Sequence, residues 1–309
     1  MASVFSNSPT KTDQNPFSDL VLIKLLQKSK FPVYLVQSRS SKKQYALKVF
    51  PFVDGKVSQF YHNEATFSTF MHPNIIAIHQ AVNEKNSLKN GKNQKISYLV
   101  MEYAPYGDFL QLLSNKKFPL DETVIRTYFH QLIDALEYLH SRGAAHLDIK
   151  PENLLLGEDL LLKVADFDMA YLEGDDEIKG SGTKYYRAPE LLSGKIFDPK
   201  AADIFSAGII LFLLKSGGQL PQTEEIAFKG KNLWEMMQSD VKKFWEFQCE
   251  IQNKDAEYYS EEFRELFCGM TKMNPADRWT IKQIRKSNWF NGPVLSDEQL
   301  KEYMLKNLA

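Results

Sequence analysis

Apolar positions follow two different periods along the chain, and the change falls near Tyr103. Before it, short runs rich in Val, Ile, Leu and Tyr are separated by polar turns, a pattern typical of β-strands. These runs read LVLIKLL, VYLVQ, QYALKVF and ISYLVMEY, and one helix is predicted among them near SQFYHNEATFSTFM. The polar, basic segment 83–95 contains Asn-Gly and is predicted to be an extended hairpin loop.

After Tyr103 the apolar residues recur at helical spacing. In ETVIRTYFHQLIDALEYLHSRG the spacings of three and four predict one buried stripe, and Gly143 then ends the helix. The stripe consists of Ile125, Phe129, Leu132, Ala135, Leu136 and Leu139. The segment AADIFSAGIILFLLKS is apolar nearly all round, which is typical of a helix through the centre of a lobe.

These patterns predict an α+β chain of two lobes. The N-lobe, residues 18–103, should hold a small antiparallel sheet with one main helix. The C-lobe, residues 104–290, should be larger and mainly helical. Residues 1–17 are polar and rich in Ser and Pro, which predicts a flexible tail. Residues 291–309 are predicted to form a helical extension.

The charge is uneven along a chain whose net charge is only −1. Residues 1–103 hold 13 Lys and Arg against 6 Asp and Glu, whereas the remainder holds 25 against 33. This division indicates either two solvated faces or a basic lobe for phosphate and an acidic lobe for a basic partner. No basic run carries interleaved aromatic residues, so nucleic acid is not an expected partner.

Several other classes of protein are not expected from the sequence. No apolar run reaches the length of a membrane span and no signal peptide is visible, so we expect a cytoplasmic or nuclear protein with no membrane contact. A monomer is also expected. Cys249 and Cys268 lack metal-site spacing and are interpreted as reduced core residues. The six histidines also lack such spacing.

The stretch AAHLDIKPENLLL carries the most chemical information. It contains an acid, Asp148, a cation, Lys150, and an amide, Asn153; a second acid, Asp166, lies inside LKVADFD. Phosphoryl transfer requires these residue types. One carboxylate orients the attacking hydroxyl and accepts its proton, a carboxylate and an amide hold Mg²⁺, and lysines offset the phosphate charge.

These motifs resemble those of eukaryotic protein kinases over about residues 18–290, which implies a bilobal protein kinase fold. HLD matches the catalytic H-R-D, DFD matches D-F-G, and YALK, APE and DIFSAG also match kinase motifs in order. The resemblance implies that Asp203 holds the catalytic loop, that His146 supports the region of Phe167, and that Arg278 pairs with Glu190.

The resemblance also implies the ligands and the residues that contact them. ATP and Mg²⁺ would be the cofactors, with a protein hydroxyl as the acceptor. The implied catalytic residues are Asp148, Lys150, Lys48, Glu64 and Thr183, with Lys48 contacting the α- and β-phosphates and pairing with Glu64. The implied metal ligands are Asn153 and Asp166. The implied ATP-binding residues are Leu26, Phe31, Val33, Ala46, Lys48, Met101, Glu102, Ala104, Asp108 and Leu155.

The substrate class follows from the same resemblance. DIKPEN and GTKYYRAPE are similar to the patterns of Ser/Thr kinases, with Thr183 expected near Asp148. Glu152 and Asp108 lie where some kinases recognise basic residues upstream of the target. Arg187, however, is reminiscent of proline-directed kinases, so the subfamily stays open, with a calcium/calmodulin-dependent-like catalytic domain preferred.

Three departures from the kinase pattern leave two functions open. The phosphate loop QKSKFPVY has no glycine, and Lys28 and Lys30 are expected to supply charge in its place. Leu147 replaces the arginine that binds an activation-loop phosphate, which implies activity independent of such phosphorylation. Asp168 replaces the glycine of D-F-G. The sequence therefore predicts an active Ser/Thr kinase, or alternatively a pseudokinase that acts as a scaffold, with or without bound nucleotide.

Overall fold

The computed structural model describes residues 17, 19–52, 55–89, 92–115, 121–175, 182–192, 198–221 and 233–308. Of the predicted tail, Phe17 belongs to this part, and residues 1–16 lie outside it. Among the helices of these ranges, none combines the length and the hydrophobicity that a bilayer span requires.

The N-lobe is built on a five-stranded antiparallel sheet in the order β1-β2-β3-β5-β4. The strands are β1 (Leu20–Gln27), β2 (Val33–Ser38), β3 (Gln44–Pro51), β4 (Ile78–Lys89) and β5 (Lys92–Glu102). In the central strand β3, Lys48 pairs in register with Val33 on one side and with Leu99 on the other. Because both neighbours fix the strand, the position of the Lys48 side chain is set by the middle of the sheet.

The hairpin predicted at 83–95 is present, but most of its length is paired strand rather than loop. Strands β4 and β5 continue as a paired hairpin through most of this segment, from Lys85 opposite Ile96 to Lys89 opposite Lys92. Residues 90–91, which include the glycine of Asn-Gly, lie outside the described residues. The segment is polar and lacks the apolar alternation by which a strand is predicted, so its paired arms were not expected.

The predicted N-lobe helix is α1 (Gln59–Thr66), followed by a 3-10 turn at Phe67–Thr69. Its buried residues are Tyr61, Asn63 and Glu64. Two polar residues are therefore buried side by side on a short helix. Buried polar groups need hydrogen-bond partners, so the side chains of Asn63 and Glu64 must bind groups on other elements.

The C-lobe is mainly helical, as predicted. Its helices are α2 (Phe109–Ser114), α3 (Glu122–Ser141), α4 (Pro189–Leu192), α5 (Pro199–Lys215), α6 (Leu233–Ser239), α7 (Val241–Ile251), α8 (Glu261–Met270), α9 (Ile281–Ile284) and α10 (Asp297–Leu308). All six residues of the predicted α3 stripe are buried, and α5 is buried continuously from Ala202 to Leu214. Gly143 has φ 73°, the left-handed conformation that glycine favours after a helix.

Short strands join the helical lobe to the catalytic segments. Strand β6 (Ala144–Ala145) pairs with β9 (Tyr171–Leu172), and β7 (Leu154–Leu156) pairs with β8 (Leu162–Val164). The loop from β6 to β7 contains the HLD motif, and the segment from β8 to β9 contains DFD. The β7–β8 hairpin and the pairing of β6 with β9 thus tie together the two segments that contain these motifs.

A buried ion pair connects α4, α5 and the chain before α9. The Arg278 guanidinium donates to Glu190 at 2.6 Å and to the carbonyl of Ala201 at 2.7 Å. The Arg278 side chain is fully buried and that of Glu190 is 5% exposed. Two charges this deeply buried are stable only with good geometry, so the pair specifies how these three segments meet.

We expect Arg278→Leu to lower the free energy of unfolding by about 3–5 kcal/mol, because Glu190 would stay buried without its guanidinium. Chemical denaturation would measure the loss. The control is Lys243→Leu, which breaks a pair with Asp240 at 2.7 Å whose lysine side chain is 66% exposed. That variant should change stability by less than about 1 kcal/mol. Equal losses in the two variants would contradict the assignment of a structural role to the buried pair.

Candidate functional site

Three charged side chains from separate parts of the chain meet between the lobes. The Lys48 ammonium in β3 lies 2.6 Å from a carboxylate oxygen of Glu64 in α1 and 2.6 Å from one of Asp166, which follows β8. Burial alone would lower the pKa of Lys48, but the two carboxylates raise it above its usual range. Burial raises the pKa of Glu64 to about 7 against the attraction of Lys48. Lys48 is therefore held as a cation between two acids.

The loop that contains the HLD motif is fixed by a buried carboxylate. Asp203, which is fully buried in α5, accepts hydrogen bonds from the backbone N–H groups of His146 and Leu147, each at 2.8 Å. The ring of His140 lies 2.9 Å from the same carboxylate. Leu147 adopts φ 63°, an uncommon conformation for a residue other than glycine. The contacts of Asp203 hold this strained turn in place, as the sequence predicted for this aspartate.

Asp148 lies at the centre of a polar cluster. One of its carboxylate oxygens accepts hydrogen bonds from both the backbone N–H and the hydroxyl of Thr183, each at 2.8 Å. The other oxygen accepts from the Lys150 ammonium at 2.6 Å and from the Asn153 amide at 3.2 Å. Lys150 also donates to the Thr183 hydroxyl at 3.1 Å. The structure thus brings together four of the predicted site residues from two separate segments.

Asn153 and Asp166 have the donor atoms that a Mg²⁺ site needs. The Asn153 amide nitrogen donates to Asp148, and its amide oxygen accepts no hydrogen bond from the residues that the structure describes. Asp166 uses one carboxylate oxygen for Lys48 and has a side chain that is 35% exposed. Within the described ranges, no cluster of three or more His, Cys, Asp or Glu is arranged to hold a metal. An amide and a carboxylate oxygen are nevertheless ligands that Mg²⁺ accepts.

The DFD segment is supported by aromatic packing. Phe167 stacks on Phe67 with ring centroids 4.8 Å apart and contacts the ring of His146 at 5.0 Å, so the predicted support from this histidine is present. Burial would raise the pKa of Asp166, but Lys48 holds that pKa below its usual range. Burial and the neighbouring Asp166 charge raise the pKa of Asp168 to about 6.

The glycine-free loop packs on α1. Phe31 is buried, with its ring 4.8 Å from Phe50 in β3 and 5.3 Å from Phe60 in α1. The Lys30 ammonium lies 4.4 Å from the centre of the Phe60 ring, a cation–π contact. Lys30 was predicted to supply charge for a phosphate. In the structure its ammonium instead lies over an aromatic ring.

The residues predicted to surround an adenine lie on both sides of the interlobe cleft. Ala46 and Met101 are neighbours in the sheet and are both buried, whereas Val33, Ala104 and Leu155 are partly buried against the same core. Leu26, at the end of β1, is 38% exposed. That these residues bind the adenine ring of ATP stays a prediction.

Two of the predicted ligand residues also have structural roles that the sequence reasoning missed. Asp108 caps α2 by accepting from the backbone N–H of Gln111 at 2.8 Å. The Glu102 side chain accepts from Lys163 at 3.0 Å. An acid directly before a helix is the signal that could have revealed the cap of Asp108.

Asn63 was missed entirely. Its side-chain amide donates to the carbonyl oxygens of Asp168 at 2.7 Å, Ala170 at 2.9 Å and Phe167 at 3.3 Å. The only signal in the sequence is its position directly before Glu64. That position does not indicate which way the side chain points, so the contact depends on the tertiary structure.

Comparison with known proteins agrees with this geometry. The family described as Protein kinase domain matches residues 30–290. CBL-interacting protein kinase 14 of Oryza sativa subsp. japonica is 35% identical over 277 residues, which make up 86% of this chain and 56% of that protein. CBL-interacting serine/threonine-protein kinase 10 of Arabidopsis thaliana is 32% identical over 259 residues, 82% of this chain and 49% of that protein.

The chain therefore spans about half the length of the curated relatives it matches. Their names are compatible with the preference for a calcium/calmodulin-dependent-like domain. The predicted bilobal α+β fold is confirmed. Because the match extends across both lobes and the cleft between them, this chain belongs to the protein kinase family.

Proposed function

We propose that this chain is a protein serine/threonine kinase that transfers the γ-phosphate of ATP to a protein hydroxyl without needing phosphorylation of its activation segment. The observation that carries the proposal is the pairing of Asp148 with Lys150 at 2.6 Å beside the Thr183 hydroxyl. A carboxylate adjoining an ammonium can accept a proton from a hydroxyl while the ammonium offsets phosphate charge.

Each residue of the site then has a distinct task. Asp148 orients the acceptor hydroxyl and takes its proton, and Lys150 stabilises the charge on the transferred group. Lys48 binds the α- and β-phosphates, and Glu64 holds the Lys48 ammonium in position. Thr183 anchors the activation segment on Asp148, which aligns the acceptor with the site.

ATP is the substrate that these residues fit, and a divalent cation is expected with it. Asn153 and Asp166 would hold Mg²⁺, which when bound supplies positive charge against the phosphates. Asp166 is suited to this role because the Lys48 ammonium keeps its pKa low, so the carboxylate is ionised at neutral pH.

The scaffold alternative is not proposed. A pseudokinase has no need to retain a paired lysine, a proton acceptor and metal ligands together, and here they form one connected site. The relatives are also named as kinases.

The acceptor is proposed to be a protein with basic residues upstream of the target. The support is the excess of acidic residues in the C-lobe together with Glu152 and Asp108 near the cleft. Both carboxylate oxygens of Asp108 already accept hydrogen bonds from Gln111, so Asp108 would bind a basic residue through their remaining lone pairs.

The protein is also proposed to be a cytoplasmic monomer.

We expect Asp148→Asn to lower kcat by about 10²–10⁴-fold, because an amide cannot accept the hydroxyl proton. ATP should still raise the melting temperature as it does for the wild type. A radiolabelled phosphate-transfer assay on a basic peptide and a thermal shift assay would measure the two effects. Asp255→Asn, at an exposed position, is the control and should behave as wild type. Near-normal turnover in Asp148→Asn would contradict the assigned role.

We expect Asp166→Ala to abolish the part of ATP binding that depends on Mg²⁺. The alanine removes a metal ligand, while Lys48 keeps Glu64 as its partner. Calorimetry with ATP, in Mg²⁺ and in EDTA, would measure this. In EDTA the variant and the wild type should bind ATP with affinities that agree within about threefold. If Mg²⁺ strengthens binding to the variant as much as to the wild type, Asp166 is not a metal ligand.

We expect phosphatase treatment to change kcat by less than about tenfold, equivalent to ~1.4 kcal/mol in the barrier. The reason is that Leu147, which is buried and apolar, cannot pair with a phosphate. Intact mass before and after treatment would confirm that phosphate had been removed. A larger loss of activity on dephosphorylation would show that another group binds an activating phosphate.

A further inference from the structure

The side chain of Asn63 makes contacts that the proposed catalytic roles do not use. Its amide nitrogen has two N–H groups and lies within hydrogen-bond distance of three carbonyl oxygens, those of Phe167, Asp168 and Ala170. The residue is 5% exposed. One side chain on α1 therefore donates to backbone carbonyls in and just after the DFD motif, and water has little access to replace it. The Phe167 carbonyl also accepts from the Ala170 N–H at 3.1 Å.

These carbonyls belong to a stretch of backbone that needs support. Asp166, directly before it, has φ 68°, a left-handed conformation that L-residues other than glycine seldom adopt. Asp168, where kinases usually carry glycine, has no positive φ. The segment as it stands is thus compatible with aspartate at 168, whereas arrangements that need a positive φ there would be strained.

Asn63 and Glu64 connect α1 to both halves of the site. Glu64 binds Lys48 in the sheet, and Lys48 binds Asp166. Asn63 binds the backbone that follows Asp166. Since the two residues are adjacent on one short helix, a displacement of α1 would break both sets of contacts together.

We infer that Asn63 is a positioning residue that holds the DFD segment, and through it the Asp166 carboxylate, in the arrangement used for phosphoryl transfer. The inference rests on the proposed function and adds a reason for its independence from phosphorylation. Without an arginine at 147, a loop phosphate has no cation there to bind. The contacts of α1 hold the site assembled instead, through the Asn63 amide and the Glu64 carboxylate.

The experiment compares Asn63→Leu with Asn74→Leu. Asn74 is a matched control because it is equally buried and its amide also donates to a backbone carbonyl, that of Leu162 at 2.9 Å. Both variants lose a buried donor, but only one loses contact with the DFD segment. A purely structural role for Asn63 would therefore give two similar variants.

The first measurement is the gain in ATP affinity on adding Mg²⁺, by calorimetry. We expect Mg²⁺ to raise the ATP affinity of the wild type and of Asn74→Leu by the same factor. In Asn63→Leu that factor should be smaller by at least about tenfold. Binding in EDTA should be the same for all three proteins. In a transfer assay, kcat of Asn63→Leu should fall while its KM for the peptide stays unchanged.

The second measurement, which does not require activity, is hydrogen exchange of the segment 166–172, which lies beyond the contacts of Asn74. It should exchange faster in Asn63→Leu than in either Asn74→Leu or the wild type, at a temperature where all are folded. If Asn63→Leu does not fold, Asn63→Ser takes its place, since its smaller polar side chain admits water to the carbonyls. The same direction of change is then expected.

An unchanged Mg²⁺ gain together with unchanged exchange in the Asn63 variant would overturn this inference alone. A wild type that transfers no phosphate would instead contradict the proposed function. The exchange measurement would still decide whether Asn63 holds the segment, so the two failures are distinguishable.

Discussion

A single buried ammonium, that of Lys48, requires the rest of the site to assemble around it. A charge in this position is stable only when it is paired, and its two partners come from elements far apart in the sequence. Glu64 lies on α1, and Asp166 lies in the other lobe. The sheet, the helix and the DFD segment must therefore come together for any of the three charges to be satisfied. The pairing that stabilises this buried charge thus also places a cation beside a carboxylate. A cation can bind phosphate, and a carboxylate can bind the metal ion that accompanies it.

The departures from the usual kinase pattern are accommodated by local contacts. The glycine-free loop is held by the burial of Phe31 and by a hydrogen bond of 3.0 Å from the Val49 N–H to the carbonyl of Pro32. Leu147 keeps its unusual backbone conformation because Asp203 binds its N–H group. Asp168 introduces a second acid near Asp166, and its pKa is raised first by burial and then by repulsion from the Asp166 charge.

Much of the molecule could be predicted from the sequence, because the relevant signals are local. The α3 stripe and the central α5 helix follow from apolar spacing. The pairing of Lys48 with Glu64 and the proximity of Asp148 to Thr183 were expected from the resemblance to protein kinases. The hairpin at 83–95 was predicted, but its paired strands were not, because the polar sequence there shows no hydrophobic alternation.

The sequence by itself determined the class of the fold, the residue types of the site and their order along the chain. Periodicity and motif spacing are properties of neighbouring residues, and they do not depend on how distant segments pack. Only the tertiary structure decided that Asn63 points at the DFD carbonyls and that Lys30 lies over Phe60. Only the tertiary structure also showed that Asp108 caps α2. Each of these outcomes depends on side-chain direction and on competition among nearby partners, which are settled only when separate elements pack together.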